Sequence, residues 1–201
     1  VAATYNTDNS YYNVVITRGE VSATLTVYGA YVYVDLYANT DDVTSITLPE
    51  GLTTIEDSAF ENMSGLTEIL IPESVKHIGR SVFGTCENLL RAVLPAQLQS
   101  IPEDMFESCG LLTDVNIPAG VKTLERGCFS ACTSLKSISL PEGIETIGDM
   151  AFELCTNLEH IKIPSSVKSI GTRAFFSCYN LQPIEIPNTI TSIGDYAFDA
   201  T

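Results

Sequence analysis

Six cysteines, two histidines and a surplus of carboxylates are the residues of this chain with chemistry to offer. Cys86, Cys109, Cys132, Cys155 and Cys178 stand 23 residues apart, with Met63 and Thr201 at the ends of the series. A disulfide needs a specific torsion between its sulfurs, and in-register side chains that run parallel do not supply it. Zinc needs ligands that converge from two segments, and a single file without His or Asp does not converge. Free cysteine is a small, readily buried hydrophobe, a role that Met also fills. The sequence therefore predicts buried, unpaired thiols. Cys128 belongs to another series, with Ala59, Val82, Met105, Ala151, Ala174 and Ala197, and lies four residues from Cys132, where pairing is poor.

The two histidines do not form a catalytic pair. His160 falls in one predicted strand segment and His77 in another, where it replaces a hydroxyl in the series Thr54, Ser100, Thr123, Thr146, Ser169, Ser192. No G-x-S-x-G, Walker-type, H-E-x-x-H or EF-hand pattern is present. A glycine series, Gly79, Gly148, Gly171 and Gly194, follows the same period and is interrupted by Glu56, Pro102 and Glu125. It reads as backbone turning and not as a phosphate cradle. Among the carboxylates, Asp57, Arg80, Glu103, Arg126 and Asp149 alternate in sign down one series, before Thr172 and Asp195. Adjacent members then attract, which supports stacking and argues against a calcium edge. Bulk charge excludes two further classes. With 10 basic against 25 acidic residues the net charge is −15. Such a chain has no basic stripe for nucleic acid and repels anionic membrane surfaces. No apolar run approaches the ~20 residues of a spanning helix.

The elements that hold these residues share one period. Prolines at Pro49, Pro72, Pro95, Pro118, Pro141, Pro164 and Pro187 and phenylalanines at Phe60, Phe83, Phe106, Phe129, Phe152, Phe175 and Phe198 both step by 23. A period of this length means a solenoid or repeat array. Further apolar columns pass through Ile46, Leu48, Leu52, Ile55 and Leu66. Each coil reads L-x-x-I-x-I-P, then L-x-x-I-G, then a small residue and Phe, then C-x-x-L. The I-x-I step alternates and is a strand, ended by a proline that cannot donate to a ladder. The L-x-x-I step predicts a second short extended segment. Residues 149–155, with Met150, Ala151, Leu154 and Cys155 at spacings of three and four, predict one helical turn or a little more.

The blocks "LKSISLP" (135–141), "IGDMAFELC" (147–155) and "IGTRAFFSC" (170–178) resemble the BspA-like, 23-residue form of the leucine-rich repeat family, over residues 46–201. The resemblance implies an α/β, right-handed solenoid of about seven coils with a parallel sheet on its concave face. It also implies a non-enzymatic adhesion or recognition module of a cell-surface or secreted protein, without cofactor or metal. Its partner would be a host surface or matrix protein, or a glycan. A structural spacer or an accessory domain of a larger surface protein is the alternative.

Alternation in the I-x-I strands turns one pair of residues per coil outward. The pairs are Ser45/Thr47, Glu68/Leu70, Arg91/Val93, Asp114/Asn116, Ser137/Ser139, His160/Lys162 and Pro183/Glu185. They vary while the inward columns hold, so the ten residues from Glu68 to Lys162 are the candidate partner-binding set, with Leu70 and Val93 as an apolar patch between Glu68 and Arg91. Residues 1–45 differ: they hold seven of the nine tyrosines and read as a β-rich cap, with a hairpin around Arg18-Gly19 and a hint of a degenerate coil at Leu25, Val32 and Tyr37. The tyrosines could alternatively face a ligand. The start at Val1 suggests a trimmed mature protein or an excised piece. The end at Thr201, inside a coil and without a polar cap, predicts a trimmed boundary or self-association through the open end.

Overall fold

The computed structural model describes residues 43–48 and 50–201, and before them the strands β1 (Ala2–Asn6), β2 (Tyr11–Arg18), β3 (Val21–Tyr28) and β4 (Tyr31–Val34). The chain is a parallel-sheet solenoid. Each coil but the last contributes one short strand to a first sheet, and every coil contributes one to a second. The first-sheet strands are β5 (Ser45–Thr47), β7 (Glu68–Leu70), β9 (Arg91–Val93), β11 (Asp114–Val115), β13 (Ser137–Ile138) and β15 (His160–Ile161). The second-sheet strands are β6 (Thr54–Ile55), β8 (His77–Ile78), β10 (Ser100–Ile101), β12 (Thr123–Leu124), β14 (Thr146–Ile147), β16 (Ser169–Ile170) and β17 (Ser192–Ile193). All pairings between coils are parallel and in register at the sequence period, as in Ile46 opposite Ile69 and Thr146 opposite Ser169.

The columns form one core. Six phenylalanines, Phe60 to Phe175, are wholly buried, and with Phe198 they stack ring on ring at 5.2–5.7 Å between centroids. Ile, Leu and Val columns fill the space beside them. The prolines after each strand close a turn: the N–H groups of Val75, Leu98 and Val121 donate to the carbonyls of Pro72, Pro95 and Pro118.

No helix occurs among the described residues, which corrects the α/β expectation. The turn predicted over 149–155 is a ribbon of successive β-turns. Its cause lies in the backbone. In every coil two positions four residues apart take positive φ, as at Met150 (55°) and Leu154 (59°), or Ser81 (53°) and Thr85 (58°). An α-helix cannot pass through left-handed residues at that frequency. The hydrogen bonds alternate accordingly. Phe152 N–H donates to Ala174 O in the next coil and Glu153 N–H donates to Met150 O in its own turn. A helix would direct all of these donors inward to its own segment; here every second one couples neighbouring coils.

Both sheets are interrupted. The second sheet breaks between β8 and β10. Gly79, Glu125, Gly148 and Gly171 each donate to the preceding coil there, and Pro102 has no N–H to do so. The first sheet breaks between β11 and β13. On the β9 side of this break the Asn116 side-chain Oδ1 accepts the Leu94 N–H at 2.9 Å, the bond that the backbone carbonyl of Val93 takes from Ile71 one coil earlier. Val115, Ile117 and Leu140 around this break are only partly buried. The last coil forms no first-sheet strand, because Pro183 stands where its strand would begin and cannot donate.

Strand β2 pairs antiparallel with β1 and with β3, and β3 with β4, so the expected hairpin is present as a pairing of Arg18 with Val21. Strand β4 then runs parallel to β6, with Val32 opposite Ile55, 23 residues on. Leu25 does not follow that alignment; it lies opposite Val34 in an antiparallel pair. Tyr37, Gly19, Pro49 and the side chains of the tyrosine-rich segment lie outside the described residues.

Candidate functional site

The thiol column is buried as the sequence predicts, and all six cysteines are free. Each of the five in-register thiols also has a hydrogen-bond partner that spacing alone did not reveal. Cys132 Sγ donates to Phe106 O at 3.2 Å, and Cys86, Cys109, Cys155 and Cys178 do the same to Phe60, Phe83, Phe129 and Phe152 at 3.1 Å. Each thiol therefore meets a ribbon carbonyl one coil back. Burial pushes the Cys86 and Cys178 thiols up to about 12, and those of Cys109, Cys128, Cys132 and Cys155 well above their usual range. A thiol held protonated is neither a nucleophile nor a metal ligand. The column is part of the core.

The remaining polar series are also absorbed by stacking. Arg80 pairs with Asp57 at 3.1 Å, and Asp57 Oδ1 accepts the Arg80 backbone N–H. Arg126 pairs with Glu103 at 3.4 Å. These pairs are exposed and each is worth about 0–1 kcal/mol. Ser169 Oγ donates to Thr146 Oγ1 in the hydroxyl ladder. His77 lies in the second sheet and His160 in the first, so no shared site brings them together. The glycine series needs a correction. None of Gly79, Gly148, Gly171 or Gly194 has positive φ. A Cβ on Gly171 would lie 2.4 Å from the Asp149 backbone nitrogen, so the series is glycine for close approach of coils and not for turning. Among the described residues no group of three or more His, Cys, Asp or Glu could hold a metal ion, and no helix is long and apolar enough to cross a membrane.

What is left is the outer face of the first sheet. Every residue of the outward pairs is exposed apart from Val93, which is half-buried. The break between β11 and β13 divides this face. On the first part lies a groove of about 610 Å³, lined by Leu70 and Val93 with Glu50, Glu68 and Arg91 at its rim. On the second part lies a groove of about 570 Å³, lined by Ser137, Ser139, His160, Lys162 and Glu142. Asp114 and Asn116 fall between them. Arg91 Nε is bound to Asp114 Oδ2 at 3.0 Å, on the side away from Glu68, although Arg91 stands opposite Glu68 in the ladder. Lys162 is tied to Glu142 at 3.6 Å. The Arg91–Asp114 pair could have been read from opposite charges on adjacent rungs. The role of Asn116 had no sequence signal beyond an amide in a column of Thr47, Leu70 and Val93.

The fold and these columns have known counterparts. A family model described as the BspA type leucine rich repeat region matches in six copies over residues 7–136 and 99–201. A leucine-rich repeat protein from Bacteroides ovatus superimposes with a TM-score of 0.76 at 26% identity, over 93% of this chain and 49% of its own. A leucine rich cell surface protein from Faecalibacterium prausnitzii gives 0.71 at 26% identity, over 100% of this chain and 52% of its own. A leucine-rich repeat protein from Eubacterium ventriosum gives 0.66 at 32% identity, over 74% and 39%. The chain thus spans about half the length, or less, of these solved relatives. No curated protein matches it significantly. With the repeat blocks, the solenoid and the family model in agreement across most of its length, the chain belongs to the BspA-type leucine-rich repeat family.

Proposed function

We propose that the chain is a non-enzymatic recognition module of a cell-surface or secreted protein, and that it holds a protein or glycan partner against the outer face of its first sheet. One observation carries the reading. The inward columns repeat the same residue types coil after coil, while the outward pairs from Glu68 to Lys162 change at every rung and border two grooves. A scaffold explains constancy inside and leaves the exposed set for specificity. The F. prausnitzii relative, named as a cell surface protein, supports the location. The β1–β4 segment, in this reading, covers the backbone and core that the first coil would otherwise expose.

The test is a binding screen of the purified chain against immobilised extracellular-matrix and surface proteins and a glycan array. It is repeated with the Leu70→Asp/Val93→Asp and Ser139→Lys/Lys162→Glu variants. A ligand lost by one pair of substitutions, with the circular dichroism spectrum unchanged, is the expected result. A chain that binds nothing, or binds equally well with both faces altered, is a spacer and not a recognition module.

A further inference from the structure

We infer that the first groove takes an apolar side chain flanked by lysine or arginine on a partner protein, and that it does so independently of the second groove. This rests on the recognition reading above and narrows it to one site and one partner chemistry. Leu70 is 63% exposed, the most open large aliphatic side chain among the described residues, in the middle of a parallel ladder whose inward neighbours are wholly committed to the core. Val93 stands opposite it on the next rung, about 4.8 Å away along the sheet. Together they form a floor that a Leu- or Phe-sized side chain would cover.

The rim sets the charge that the partner must carry beside its apolar side chain. Among the described residues neither Glu50 nor Glu68 has an ion-pair partner, and Arg91 is engaged by Asp114. Those four groups leave a net charge of about −2 beside an apolar floor, on a chain whose net charge is −15. Cations on a partner are attracted to such a rim, and anions are repelled by it. The second groove is built differently, from hydroxyls, His160 and a Lys162 already paired with Glu142. The ladder between the two is cut between β11 and β13, so no continuous strand register ties one groove to the other.

Two short peptides, one with leucine between two lysines and one with leucine between two glutamates, test this by NMR titration of the whole chain. The lysine peptide should shift the Leu70 and Val93 resonances and bind roughly tenfold more tightly than the glutamate peptide, less so at high salt. Leu70→Asp should abolish those shifts, and the double change Glu50→Lys/Glu68→Lys should reverse the preference. Equal binding of the two peptides overturns the inference. So do shifts confined to Ser139 and Lys162, and so does an absence of shifts from either peptide. In these three cases a ligand found in the array screen leaves the broader recognition reading standing. If the screen is also empty, both fall.

Discussion

Truncating Phe129 to alanine tests whether the stacked rings are the spine of the fold. The ring is wholly buried and stacks on Phe106 and on Phe152, both at 5.5 Å and nearly parallel. A buried Phe→Ala change costs about 3–5 kcal/mol, and each stacked pair adds about 0.5–1.5. Phe129→Ala should therefore cost about 4–8 kcal/mol. Phe198→Ala is the internal comparison, since that ring is partly buried and has one neighbour, Phe175, at 5.2 Å. It should cost about 2 kcal/mol. Urea unfolding followed by far-UV circular dichroism reads the difference. With a slope near 2 kcal/mol per molar, the two midpoints should differ by roughly 1–3 M. Equal shifts for the two variants would refute the idea that stacking on both sides makes the middle of the column its strongest part. A broadened, two-step transition in Phe129→Ala alone would locate the weak point between the two halves of the stack.

The thiols and the ribbon lead to two more expected outcomes. Because burial raises all six thiol pKa values, the folded chain holds protons that the unfolded chain has already released above about pH 9. Their contribution is fully present below that pH and is lost as pH rises toward the folded values, by about 1.4 kcal/mol per thiol per pH unit. Circular dichroism should show cooperative unfolding near about pH 10, and a spectrum unchanged at about pH 11 would contradict it. Ala131 has a φ of 56°, so Ala131→Gly should stabilise the chain by about 0.5–1 kcal/mol where the same change elsewhere destabilises it; a lower urea midpoint would show that the left-handed position carries no strain.

The period made most of the core legible. Proline, phenylalanine and cysteine columns at 23 residues are enough to place the rungs in register, because in a solenoid the same side chain meets its own counterpart in the next coil. The ribbon was not legible. Met150, Ala151, Leu154 and Cys155 have helical spacing, and only Gly127, in the whole series of first positive-φ positions, betrays a left-handed backbone by its residue type. Ser, Asp, Met, Arg and Tyr occupy the same place, held there by bonds to the next coil that a single segment does not display. The candidate site was half legible. Alternation found the exposed pairs, but Asn116 and Pro183 act on backbone hydrogen bonds: the Asn116 amide takes the Leu94 N–H, and Pro183 has no N–H to give where the last first-sheet strand would begin.

The alternate direction of the ribbon's N–H groups has a consequence for how such a chain can change length. A coil that sends every second donor to its neighbour has a matching row of acceptors waiting on its other side. The coil is therefore an interchangeable part. Removing residues 133–155 would bring Cys132 directly before Thr156, with every column still in phase and every donor still opposite a carbonyl. Removing one residue fewer would set the columns out of step from that point onward. Whole repeats can be gained or lost while the core stays continuous, and what such an exchange alters is the order of exposed pairs along the outer face. Shuffling repeats is thus a route to new surfaces that leaves the interior untouched.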